Sequence, residues 1–179
     1  GTDLANGYVI ADNLINLSDS PQSVTYVITP YNTETGCVDG PSRSVTVTVN
    51  PTPRIFPVPV NSTQCDNTLT NIVLQSPSTF TTGNISFKYT VVATGGVTGF
   101  TTPVSGLPNN HVIADRLVNP TDQPQTVTYT ITPVSPAGCV DGPSRTVVVT
   151  VNPTPRIFPV PPLDNEQCDS TLTNILLQS

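Results

Sequence analysis

The sequence predicts an all-β fold class: antiparallel β-sandwich modules strung in tandem like beads on a string. Three observations carry this prediction. Several short segments alternate apolar and polar residues with a period of two, as a strand half-buried in a sheet requires. Clusters of Gly, Pro, Asn and Asp separate them at intervals of about ten residues, the spacing of a sandwich. The whole pattern then recurs about a hundred residues later, the length of an independent domain rather than of a solenoid repeat. No helical periodicity longer than one turn is present.

The repeat is close to literal. "NPTPRIFPVP" occupies Asn50–Pro59 and Asn152–Pro161, and "GCVDGPSR" occupies Gly36–Arg43 and Gly138–Arg145. "QCDNTLTNIVLQS" (Gln64–Ser76) returns as "QCDSTLTNILLQS" (Gln167–Ser179), and "VIADNLIN" (Val9–Asn16) as "VIADRLVN" (Val112–Asn119). The chain therefore reads as three parts. Residues 1–50 are the back of one repeat, 51–152 a complete repeat opening on a proline-rich connector (51–64), and 153–179 a connector with the first strands of the next.

The elements follow in order. "QSVTYVITP" (Gln22–Pro30) puts Val24, Tyr26 and Ile28 on one face, and "SRSVTVTVN" closes the first part. "TLTNIVLQ" is a shorter candidate. In "ISFKYTVVA", Ile85, Phe87, Tyr89 and Val91 share a face, with Ser86, Lys88 and Thr90 opposite. After "HVIADRLV", another short candidate, comes "TVTYTITP", with Val127, Tyr129 and Ile131 on one side and threonines on the other. "RTVVVTV" then aligns Val147, Val149 and Val151. Threonine on the outer faces combines β propensity with tolerance of water. The stretches "SPSTFTTGN", "ATGGVTG", "SGLPNN", "NPTDQPQ" and "SPAGCVDGPS" are turns.

The proline decapeptide needs its own account. Prolines at alternate positions favour the extended polyproline conformation, so the segment reads as a short, semi-rigid spacer. Ile55 and Phe56, with twins Ile157 and Phe158, are expected to pack on the neighbouring repeat and fix the angle between domains. The competing reading makes the stretch the first edge strand of the next repeat. A peptide ligand for a proline-binding domain is a third reading, disfavoured because the segment already serves covalent architecture.

Composition narrows the function. Among 179 residues there are 12 acidic and 6 basic side chains, a net charge of −6, so the clustered Lys/Arg that nucleic acid demands is missing. No apolar run reaches the roughly 20 residues that span a bilayer, so membrane insertion of this segment is not expected. Threonine-, valine- and proline-rich chains with four cysteines suit an oxidising exterior, and the expected location is extracellular, secreted or on a cell surface. The strand Arg43–Val49 and the spacer would carry Cys37 and Cys65 apart, so the favoured pairing is Cys65 with Cys139. Cys37 and Cys168 would then bond to cysteines of adjacent repeats outside this segment.

Chemistry finds little purchase. His111 is the single histidine, and its counterpart in the earlier repeat is Tyr8, so it reads as a loop residue rather than a general base. No Ser–His–Asp or Cys–His set can be assembled, no zinc site can be completed, and no catalytic residue is assigned. Asp12/Asp115, Asp19/Asp122, Asp39/Asp141 and Asp66/Asp169 recur, but without a D-x-D-x-D array they read as turn or capping residues. No cofactor is expected; calcium would need several oxygens converging at a junction. Asn16-Leu17-Ser18, Asn61-Ser62-Thr63 and Asn84-Ile85-Ser86 fit the N-glycosylation pattern.

Taken together, the "QCDxTLTNI" opening, the "FKYTVV" strand, "VTYTITP" and the close "GCVDGPSRTVVVTVNPTP" resemble the PKD-like, immunoglobulin-like tandem repeats of giant Bacteroidetes surface proteins, among them gliding adhesins exported by type IX secretion. The resemblance covers the whole chain. It implies immunoglobulin-like sandwiches that act as stalk modules, projecting an adhesive tip or building a long fibre for attachment or gliding. Neighbouring repeats of the same protein would be the partners, and the surface or glycan ligand is not specified. The rival is a carbohydrate- or protein-binding accessory module, which needs exposed aromatics; Phe80, Tyr31 and Phe100 are the candidates.

Overall fold

The computed structural model describes residues 4–32, 37–56, 61–101, 105–136, 138–157, 169, 170 and 172. Among the described residues the elements are all strands: β1 (Gln22–Ile28), β2 (Arg43–Val49), β3 (Asn61–Cys65), β4 (Ile72–Leu74), β5 (Ser86–Ala93), β6 (Leu107–Pro108), β7 (His111–Ile113), β8 (Gln125–Val134) and β9 (Arg145–Asn152). The chain is an all-β sandwich protein, as its alternation predicts.

β8 and β9 form the spine of the main sheet. They pair antiparallel from Gln125↔Val151 to Ile131↔Arg145. β5 joins the other edge of β8, antiparallel, with Tyr89 opposite Ile131 and Val91 opposite Tyr129. β3 lies parallel to β9, Asn61 opposite Val148 and Cys65 opposite Asn152, giving the order β3-β9-β8-β5-β6. A second, two-stranded sheet pairs β4 with β7. Two isolated bridges, Leu69↔Arg116 and Thr98↔Val118, extend the contact between the segments around it.

The core sits between these sheets. From the main sheet come Phe87, Val127, Tyr129, Ile131, Val149 and Val151, all fully buried; Leu74, Ile113 and Leu117 close it from the other side. Those of the main sheet are the residues that period-two alternation assigns to the inner faces. β1 and β2 repeat the β8–β9 pairing, Tyr26 opposite Val45, but among the described residues pair only with each other.

The connector departs from the spacer reading. Pro51, Pro53 and Ile55 are buried, and Ile55 belongs to the same core cluster as Leu74 and Phe87. The segment runs beside residues 75–78: the Phe56 amide donates to the Gln75 carbonyl (2.8 Å) and the Arg54 amide to Ser78 Oγ (3.0 Å), while Ser76 Oγ donates to the Arg54 carbonyl. Proline at alternate positions suits an edge where those nitrogens need no partner. Ile55 therefore packs into its own following repeat instead of the preceding one. Phe56 and Ile157 are exposed, and Phe158 lies outside the described residues. Further along the assigned connector, residues 61–65 are strand β3.

A buried polar network crosses the core. Asp115, 4% exposed, accepts Tyr129 Oη–H at 2.7 Å through one carboxylate oxygen. Its other oxygen accepts Thr101 N–H (3.1 Å) and Thr101 Oγ–H (2.8 Å). Thr101 Oγ1 and Tyr89 Oη lie 2.5 Å apart, joining the two tyrosines through the threonine. Burial, reinforced by the Asp115 carboxylate, pushes the Tyr129 phenol well above its usual range. Asp115 is thus a core acceptor, not the turn residue its sequence context suggests. A low-dielectric interior makes such a group costly to leave unpaired.

Two substitutions separate packing from polarity. Phe87→Ala removes a fully buried ring and is expected to cost about 3–5 kcal/mol, whereas Tyr129→Phe keeps the ring but deprives Asp115 of a donor, costing about 1–3 kcal/mol. Urea unfolding of both variants, with the m-value checked for constancy, measures the two costs.

Candidate functional site

The densest set of recurring polar contacts lies where one repeat hands over to the next. It begins with an asparagine. Asn16 Nδ2 donates to the carbonyls of Ser20 (2.8 Å) and Val49 (2.8 Å), while its Oδ1 accepts Ser18 N–H (2.9 Å) and Oγ–H (2.7 Å). Asn119 does the same one repeat later: Nδ2 donates to Gln123 O (2.8 Å) and Val151 O (2.9 Å), and Oδ1 accepts Thr121 N–H (2.9 Å) and Oγ–H (2.8 Å). Each asparagine ties the "SDS" or "TDQ" turn to the end of the last strand of its repeat. Both amide protons of Asn16 are committed to backbone carbonyls, so in the folded chain this asparagine serves the turn.

The turn so fixed presents an aspartate to the next repeat. Arg54 Nε donates to Asp19 Oδ1 (2.8 Å) and Arg54 Nη2 to Asp19 Oδ2, the two-pronged geometry that matches a guanidinium to a carboxylate. The hydrogen bond to Asp19 holds the Arg54 guanidinium still higher than its ordinary value. Further hydrogen bonds reinforce the pair: Thr79 N–H donates to Asp19 O (2.8 Å), and Asn50 Oδ1 accepts Thr81 N–H (3.0 Å) and Thr81 Oγ–H (3.1 Å). At the second handover Arg156 Nη2 donates to Pro120 O (3.0 Å) and Nε lies 3.5 Å from Asp122 Oδ1. Exposed ion pairs add little stability, so what this geometry supplies is orientation.

Asp66 adds a second tie. It accepts Asn119 N–H (2.7 Å) at one oxygen and Thr154 Oγ–H (2.9 Å) at the other, linking β3 to the chain leaving β9. These bonds, the Asn119 amide first, hold its carboxyl below the usual range. Gly142 completes the opposite end of the repeat. A Cβ there would meet Pro53 O at 1.9 Å, so only glycine lets the β8–β9 turn close on the lead-in segment.

The cysteine pairing expected from sequence fails. Cys37, Cys65 and Cys139 are all free and exposed. β3 is parallel to β9, so Cys65 lies opposite Asn152, whereas Cys139 lies in the turn leading into Arg145 at the other end of β9. An eight-residue strand separates them by about 23 Å, against the roughly 7 Å between Cα atoms that a disulfide tolerates. The segment 51–56 precedes β3 within the repeat, so Cys65 comes at the end of β3 and level with the end of β9, far from the turn that holds Cys139. Cys168 lies outside the described residues.

Other sequence candidates are scattered. His111 belongs to strand β7, opposite Leu74, rather than to a loop. Asp141 accepts Lys88 Nζ–H at 2.8 Å, which holds its carboxyl low, and also accepts the Ser135 amide. Phe80 packs partly against the core, while Tyr31 and Phe100 are exposed. Among the described residues no group of three or more His, Cys, Asp or Glu is placed to hold a metal ion. Sequence reading missed the pairing of Asp19 with Arg54. The signal available was that an arginine recurs inside a repeated decapeptide in a chain with few basic residues.

Two tests follow. Asp19→Asn and Arg54→Ala are expected to leave the unfolding midpoint nearly unchanged while loosening the handover, read as faster amide exchange at Thr79 and Thr81. Because the Asp66 carboxyl is depressed by folding, its contribution is fully present above the ordinary aspartate value of about 4 and is lost as pH falls through the folded value. Asp66→Asn should therefore flatten the acid limb of the stability–pH curve, measured by chemical denaturation between neutral and acid pH.

A family model described as a PKD-like domain matches residues 1–53 and 62–155. No curated protein matches the chain.

Proposed function

The chain belongs to the PKD-like domain family, and on that premise we propose that it is a stalk or fibre segment of a large secreted or cell-surface adhesin. Its repeats act as spacers: the complete repeat buries its own core, and an arginine–aspartate clamp sets each one on the next. The observation that carries the reading is the recurrence of one handover, Arg54 on Asp19 and Arg156 on Asp122, each seated on an asparagine-pinned turn. A binding module needs one distinctive surface, whereas a fibre needs the same joint many times.

The working unit in this reading is about a hundred residues, close to the span 51–152 expected from the repeat. Attachment or gliding would be the purpose of the whole adhesin, with type IX secretion as the export route, and the ligand would be met by another part of that protein. Export to the cell exterior accords with the threonine-, valine- and proline-rich composition and with the PKD-like family match. Among the described residues no helix is long and apolar enough to cross a membrane. Catalysis has no part in the proposal.

Small-angle scattering on chains carrying one, two and three added copies of residues 51–152 tests the spacer role. The maximum dimension should rise linearly, by on the order of 35 Å per copy, the length of a ten-residue strand with its turns. Growth as the cube root of mass, the mark of repeats folding back on one another, overturns it.

A further inference from the structure

The β1–β2 hairpin exposes residues that its twin buries. Val45 is 51% exposed and Val47 40%, against 2% for Val147 and 0% for Val149; Ile28 is 47% exposed, against 0% for Ile131. In the twin, the outer edge of β9 carries β3 and the outer edge of β8 carries β5. β1 and β2 have the same inner-face residues and the same pairing, but among the described residues only each other as partners.

We propose that the open β1–β2 hairpin is a docking surface for a segment of the same repeat class lying ahead of Gly1 on the same polypeptide, which lays a parallel strand along β2 and an antiparallel strand along β1. The twin fixes the chemistry and register of that partner. Along β1, a strand like Phe87–Ala93 sets a tyrosine opposite Ile28, a valine opposite Tyr26 and a small residue opposite Val24, as Tyr89, Val91 and Ala93 face Ile131, Tyr129 and Val127. Along β2, a polar strand like β3 runs beside Thr46 and Thr48, ending in a cysteine level with Asn50.

The polar network is already half assembled. Tyr26 Oη donates to Asp12 Oδ2 at 2.8 Å, as Tyr129 donates to Asp115. The partner would supply the threonine that Thr101 provides in the twin, donating to the aspartate through both its amide and hydroxyl. A second copy of this chain is the poorer partner, because its Phe87 and Tyr89 are buried in its own core. The inference rests on the equivalence of the repeats and not on the stalk role, so its failure leaves that role standing.

The test compares three forms of the full chain by hydrogen exchange and sedimentation: the chain itself, the chain with a copy of residues 51–103 joined ahead of Gly1, and the same extension carrying Phe87→Asp and Tyr89→Asp in the added copy. Docking slows exchange at Val24–Ile28 and Val45–Val49 by about a hundredfold in the first extended form only, independent of concentration. Exchange at β8 and β9 stays constant in all three and reports that the complete repeat is folded. Equal exchange in the two extended forms overturns the proposal. So does a concentration-dependent dimer of the unextended chain with these amides already protected, which would assign the face to a second copy.

Discussion

The architecture depends on the pairing of β8 with β9, two long strands whose alternate residues all turn inward. Val127, Tyr129 and Ile131 face the interior beside Val147, Val149 and Val151. Six such side chains cannot be left in water; each fully buried aliphatic or aromatic group contributes roughly 1.5–3 kcal/mol relative to exposure. Everything else in the repeat answers that demand. β5 widens the sheet, β4 and β7 cover it, and the prolines of the lead-in segment seal its margin with Ile55. The hairpin β1–β2 shows the same two strands without their cover.

Polar residues then decide which of many apolar packings is adopted. Asp115 joins two tyrosines and a threonine in a network that works in one geometry only. Asn119 anchors a surface turn to the last strand, and in doing so aims Asp122 towards the next repeat. Interior order is passed outward in this way: a buried amide positions a loop, and the loop positions a charge. A pair that is weak as a source of stability can still set an angle when both partners are held rigidly from behind.

Much of the fold was legible in the sequence. β1, β2, β5, β8 and β9 announce themselves by alternation, and the inner faces of β5, β8 and β9 are the observed core. The short elements do not. β3, "NSTQC", has no apolar period and sits inside a stretch whose prolines argue for a spacer; β6 is two residues within a turn-like cluster. Ile55 was misassigned because prolines mask the edge role of the residues between them, and that misplacement carried the cysteine pairing with it. The candidate site was less legible still. Asp19 and Arg54 stand 35 residues apart, and a carboxylate in "SDSPQ" looks like turn chemistry whether or not a guanidinium waits beyond it. Asp115 shares that ambiguity, since burial of a polar group depends on partners that arrive from distant strands.

The parallel alignment of β3 and β9 bears on how the molecule would behave when pulled. Tension entering at Pro51 and leaving at Asn152 draws along the strand axes, so the hydrogen bonds between β3 and β9 are strained sideways and together instead of opening one by one from an end. Rupture in that arrangement requires several bonds to fail at once. An array of such repeats would stay at nearly constant length under modest traction and yield abruptly, one repeat at a time, at a higher threshold.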